Sequence, residues 1–107
     1  MGKLGCIEVI ADEDVKAGEE TTIPSLFPTA ERSKEYELLE DVRDGTKIRI
    51  HLAKVQPFES TADATVKKGE KVSCWRLIRY ADFINKKLVA SEDIRKGDKL
   101  KITYETI

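Results

Sequence analysis

The sequence predicts a small all-β domain with little helix, either β-clip-like or a compact β-barrel or sandwich. One corner, written four times, carries most of that expectation. Residues 90–102 (ASEDIRKGDKLKI) recur in form as residues 11–23 (ADEDVKAGEETTI), residues 38–50 (LLEDVRDGTKIRI) and, more loosely, residues 62–74 (ADATVKKGEKVSC). A β-branched residue, Val15, Val42, Val66 or Ile94, stands three positions before each glycine. Gly18, Gly45, Gly69 and Gly97 are the turn pivots, since glycine takes positive φ without a Cβ penalty. Beyond each pivot, apolar or β-branched residues alternate with polar ones: Thr21 and Ile23, Ile48 and Ile50, Val72 and Cys74, Leu100 and Ile102. Period two is the signature of a half-buried strand. Spacings of 27, 24 and 28 residues between the glycines suggest corners that bury one face against one another.

With 107 residues the chain holds one domain and one core, 1–107, with Pro-bounded loops expected at 24–37 and 53–61. Hydrophobic residues at 40% and charged ones at 36% fit neither a disordered nor a membrane-embedded chain. No apolar run approaches the roughly 18 residues of a membrane helix, and the N-terminal residues are too polar for a signal peptide. A net charge of −1 argues against nucleic acid as the main partner. The charge is divided, however: residues 1–61 carry 8 basic and 13 acidic side chains, residues 62–107 carry 11 and 7. Opposite poles of that kind could align copies head to tail, or be neutralised within the molecule.

Residues 4–11 read as a first strand, apolar on both sides and therefore not an exposed edge. Pro24 and Pro28 then exclude regular pairing and leave Leu26 and Phe27 on a stiff segment, with any helix limited to a turn or two before Tyr36. The clearest alternation is at residues 47–52, which turns Ile48, Ile50 and Leu52 inward and Lys47, Arg49 and His51 outward. Pro57 and Phe58 form a second Pro-bounded aromatic loop. Residues 72–80 read as a central strand apolar on both faces, and residues 81–90 as a hairpin around Asn85 and Lys86. Each aromatic loop either covers its own core or reaches a partner. Trp75 beside Arg76 has the composition of an interface anchor, although core packing is the commoner role of a lone Trp in a small β domain.

Reactive constellations are missing from the pattern. There is no nucleophile elbow, phosphate loop or HExxH, and the lone His51 has no partner in sequence. Turn carboxylates such as Asp14, Asp41, Asp44, Asp93 and Asp98 are explained by capping local N–H groups. Cys6 and Cys74 suit two reduced thiols, with a disulfide open only if their strands pair. The expectation is a protein with no catalytic residues, no cofactor and no metal.

Residues 39–50 and 64–102, with their succession of aspartate-Ile/Val-x-x-Gly corners, resemble the SAF-type β-clip module. That module occurs in altronate dehydratase-like and sulfolactate lyase-like enzymes and in pilus and flagellar assembly proteins. The enzyme versions carry histidines after their turns, whereas here Thr46 follows Gly45 and residues 99–102 contain none. The same corners resemble small β-rich proteins of tailed-phage heads, capsid decoration proteins among them. That second resemblance implies a non-enzymatic subunit of a virus-like particle, found in the virion and, during assembly, in host cytoplasm. It would be a homo-oligomer, most simply a trimer, binding the major capsid or another virion protein, with no membrane and no nucleic acid contact. Leu26, Phe27, Pro57, Phe58 and Trp75 would be its partner contacts. The alternative is an accessory domain of a sugar-acid or sulfonate lyase, and a third reading is a small-ligand binding module.

Overall fold

A computed structural model describes residues 2–107, of which 42% is strand and 17% helix. The elements run β1 (Lys3–Ile10), β2 (Glu20–Thr21), α1 (Ile23–Leu26), α2 (Thr29–Arg32), β3 (Glu35–Glu37) and β4 (Lys47–Leu52), then β5 (Phe58–Thr61), β6 (Lys71–Ser73), α3 (Cys74–Leu77), α4 (Tyr80–Asn85), β7 (Leu88–Val89) and β8 (Lys99–Thr106). All strand pairs are antiparallel. A four-stranded sheet has the order β1-β8-β4-β5, and two small sheets pair β2 with β7 and β3 with β6.

This order is the same unit written twice. A shift of 51 residues carries Gly18 onto Gly69, α1 onto α3 and α2 onto α4; a shift of 52 carries Gly45 onto Gly97 and β4 onto β8. The pairings obey the same rule, because β2–β7 maps onto β6–β3 and β1–β8 onto β5–β4. At the centre His51 faces Thr103, two positions related by that shift, so an internal two-fold axis passes between β4 and β8.

The four corners therefore work as two couples. Val15 and Ile94 exchange both backbone bonds, at 2.8 and 2.7 Å, and Val42 and Val66 do likewise at 2.9 Å each. All four side chains are buried. Each pivot glycine donates to the chain opposite: Gly18 to Ala90, Gly97 to Ala11, Gly45 to Ala62 and Gly69 to Leu38, at 2.8–2.9 Å. Asp98 caps its own turn as expected, accepting from Arg95 N at 2.9 Å, but Asp14, Asp93 and Asp41 cap across the couple, which corrects the local-capping expectation for those three. Asp14 accepts from Lys96 N, Asp93 from Ala17 N and Asp41 from Lys68 N, and in the loosest copy the Thr65 hydroxyl accepts from Asp44 N.

All four pivots have positive φ, between 88° and 96°. At Gly97 (φ 96°) a Cβ would meet open space, so the cost of a side chain there is conformational alone. Gly97→Ala is expected to lose about 1–2 kcal/mol, lowering the melting temperature by about 4–16 °C, as a thermal scan would record. An unchanged midpoint would mean that the corner relaxes freely.

The inner face of the main sheet follows the predicted alternation: Ile48, Ile50 and Leu52 on β4 and Leu100, Ile102 and Tyr104 on β8 are buried. Three other expectations are corrected. β1 is a sheet edge, with Cys6 and Ile10 exposed. Residues 24–37 hold α1 and α2, single helical turns before Tyr36 as expected, but then the strand β3, and residues 53–61 include the strand β5 where only loop was expected. Residues 74–85 form two helical turns in place of a strand and a hairpin arm. The first helical turn has a visible cause. Thr22 caps α1 by accepting from Ser25 N at 3.3 Å, and Pro24 sits in its opening turn, where a missing N–H costs no bond. The corresponding segment of the second half, α3, takes the same shape without proline.

Candidate functional site

The internal repeat supplies a control for chemistry. A side chain that the fold requires should have a similar counterpart in the other half; one that differs sharply is free to serve something else. Two places differ.

The first is the outer surface of α3 and α4, which are joined through Ile78 and Arg79 and pack on each other. Leu77 and Phe83 point into the core, while Trp75 is 50% exposed and Tyr80 59%. The Tyr80 ring lies 6.4 Å from the Phe83 ring, so its inner side rests on the core and its outer side faces solvent. Arg76 and Arg79, next to Trp75 and Tyr80 in sequence, are exposed as well. The equivalent positions on α1 and α2 are Pro24 for Trp75, Ser25 for Arg76, Pro28 for Arg79 and Thr29 for Tyr80. The fold thus forms this helical pair without exposed aromatics or cations. Asp82 ties α4 to the sheet by accepting from the Ser60 hydroxyl at 2.7 Å.

The second place is the space between the sheet's inner face and the four helical turns. It is an apolar cavity of about 20 Å³, walled in part by Phe27, Phe58, Phe83, Ile50 and Ile102. Tyr36 and Tyr104 stack there with ring centroids 4.8 Å apart and planes within 8°. Gly5 makes room for the pair, since a Cβ at that position would lie 3.1 Å from the Tyr36 ring. Burial pushes both phenols well above the ordinary tyrosine range and the neighbouring Cys74 thiol up to about 11. All three are therefore protonated at neutral pH. Among the described residues, the buried side-chain polar atoms with no hydrogen-bond partner in the protein are the Tyr36 and Tyr104 hydroxyls and Arg32 Nε, and all three residues line this cavity.

The solvent face of the sheet is laced with opposite charges. Arg49 pairs with Glu59 at 3.1 Å, and His51 Nε2 meets Glu105 Oε1 at 2.7 Å. The His51 hydrogen bond holds the Glu105 carboxyl below the usual carboxylate range. Sequence reasoning gave His51 no acidic partner, because Glu105 lies 54 residues away on β8. Cross-strand pairs in this exposed setting are worth little individually, and they describe a face that suits water.

The residues singled out as contacts divide. Leu26 and Phe27 are 0% and 1% exposed and Phe58 is 9%, so these side chains belong to the core, and the loops that carry them fold back over it. Pro57 and Trp75 are exposed. Cys6 is an exposed free thiol and Cys74 a free thiol at the cavity. The patch's second aromatic, Tyr80, went unremarked in the sequence because the segment read as a strand.

Fold and surface together define a small antiparallel β domain with internal two-fold symmetry and one asymmetric aromatic–basic patch. No family model, curated protein or solved structure matches the chain.

Proposed function

We propose that this protein is a non-enzymatic structural subunit that works through protein–protein contacts, with the Trp75–Tyr80 surface as its docking site. The observation that carries this reading is the asymmetry of the helical pairs. One half keeps Pro24 and Thr29 where the other exposes Trp75 and Tyr80 on either side of Arg76 and Arg79. Tryptophan, tyrosine and arginine dominate interface hot spots, and a rigid two-turn platform limits the entropy lost on docking. The cations Arg76 and Arg79 call for a partner whose apolar socket is ringed by carboxylates.

The finer reading is a decoration or stabilising subunit of a phage-like capsid, with the major capsid protein as partner, and a trimer is the assembly that suits a capsid axis. Its support is the resemblance of the four corners to those of phage-head proteins, together with their pairing as two couples, Val15 with Ile94 and Val42 with Val66. The lyase-accessory alternative draws less support, because the lone histidine faces solvent in a pair with Glu105.

The test uses particles purified from the source and the full chain. Co-sedimentation with megadalton particles is expected for the natural sequence. Trp75→Ala with Tyr80→Ala should weaken that association at least about 30-fold while leaving the melting temperature nearly unchanged. Full retention of the double variant on particles would remove the docking assignment. A chain sedimenting with a large enzyme subunit of a few hundred kilodaltons would instead establish the lyase-accessory reading.

A further inference from the structure

The connection between the two halves carries an inference that is independent of the docking surface. Leu52 O accepts from Val55 N at 3.1 Å, closing a turn over residues 52–55 whose third residue, Lys54, has φ 65°. Glycine or asparagine normally fills that place, because a longer side chain at positive φ crowds the backbone. Lys54 is the one non-glycine with positive φ among the described residues. The chain therefore reverses between β4 and β5 on a residue poorly suited to reversal.

The repeat shows the other path open to this segment. The shift of 51 residues that carries Gly18 onto Gly69 lays residues 54–61 on 3–10, which form the single strand β1. β8, the counterpart of β4, runs straight to Thr106, where Thr106 N donates to Gly2 O at 2.8 Å and Gly2 N to Thr106 Oγ1 at 2.7 Å. At that end the two strands meet with no turn joining them, so the frame needs them paired and not linked. Pro57 does not block an extended course. It corresponds to Cys6, which lies in step with Glu8 and Ile10; Glu8 O and Ile10 N point away from β8, to Lys34 Nζ and Glu31 Oε1. The N–H that proline lacks thus falls on the free edge of the sheet.

Every strand pair joins the first half to the second. A copy opened at Lys54 bares all of those edges together, and the surface that matches them is the other half of a second copy. The register of β4 on β5 pairs Lys47 with Thr61 and Ile50 with Phe58, and prolonged inward it centres on residue 54. Residues 47–61 of two copies can accordingly lie antiparallel as continuous strands, one Lys54 opposite the other. Asp98, which holds Lys54 Nζ at 3.1 Å in the single chain, offers each ammonium a counter-charge, and the unfavourable φ is relieved at two hinges.

We propose that two copies of this chain exchange halves to form a closed dimer, each frame built from residues 2–53 of one copy and 54–107 of the other, with Lys54 as the hinge.

The experiment refolds the full chain from urea at about 1 mM and at about 10 μM and measures the products by size exclusion with light scattering. Cys6, an exposed free thiol, faces Thr103 across β1 and β8, so the Thr103→Cys variant sets a second thiol opposite it. Oxidation then bonds the two halves of one chain in the monomer and halves of different chains in the exchanged dimer. The concentrated sample is expected to yield a dimer that remains covalent on a non-reducing denaturing gel, and the dilute sample a monomer. Lys54→Gly and Lys54→Val both remove the ammonium but differ in their tolerance of positive φ. The valine variant should dimerise at least about 25-fold more tightly, about fivefold for each of two hinges. Melting scans verify that both variants fold. A monomer alone at the higher concentration, a dimer that separates on the denaturing gel although its thiols are consumed, or equal dimerisation of the two Lys54 variants would each overturn the proposal.

Discussion

Phe27→Ala is expected to lose about 3–5 kcal/mol of folding stability, a large share of what a domain of this size has. Phe27 closes α1, with its N–H bonded to Ile23 O at 3.0 Å, and Asp12 N is bonded to the preceding carbonyl, Leu26 O, at 2.7 Å. Its ring is 1% exposed and forms part of the cavity wall. Backbone bonds on both sides hold this segment in place, so the void left by alanine cannot readily collapse, and a poorly collapsing site sits at the costly end of such substitutions. Urea unfolding should show the midpoint falling sharply with an unchanged slope. Trp75→Ala, half exposed on the opposite side of its helical turn from the core, should stay within about 0.5 kcal/mol. The reverse ranking would place Phe27 on the surface and Trp75 in the core.

That pair of variants also marks where sequence reasoning reached its limit. The glycine corners were legible because positive φ and period-two alternation leave local traces, and all four pivots adopt the expected conformation. Which corner couples with which was not legible. Val15 meets Ile94 and Val42 meets Val66, a nested pairing that the near-even spacing of the glycines does not encode. Residues 72–80 misled for a physical reason. With Val72, Cys74 and Ile78 on one side and Trp75 and Leu77 on the other, a two-sided strand and a pair of helical turns over a core predict the same apolar set. A signal was available in the repeat itself. Cys74 stands five residues beyond Gly69, as Ile23 stands five beyond Gly18, and in the first copy Pro24 already forbids a central strand. Transferring that prohibition across the repeat would have placed a helical turn at residues 74–77 and turned Trp75 outward.

Separating the chain within residues 53–57 is expected to abolish folding of either piece alone, because neither half contains a strand pair of its own. β1 pairs with β8, β2 with β7, β3 with β6, and β4 with both β5 and β8; every one of these joins the first half to the second. The corner couples cross in the same way, Val15 with Ile94 and Val42 with Val66. A piece ending at residue 53 keeps isolated contacts, such as Leu39 N to Leu4 O at 2.8 Å and Asp12 N to Leu26 O at 2.7 Å, and the single turns α1 and α2, which are too short to persist alone. Its apolar strands would be edges without partners. Circular dichroism and amide NMR should therefore show each separate piece as disordered or as a self-associated dimer that uses the other half's pairing scheme. An equimolar mixture should recover the dispersed spectrum of the whole chain. A folded monomer from residues 2–53 alone would contradict the strand order described above. Recovery on mixing would show that the 53–57 connection serves mainly to raise the local concentration of two interlocked halves, and that the symmetric frame can tolerate the asymmetric chemistry placed at Trp75, Tyr80, Arg32 and Tyr36.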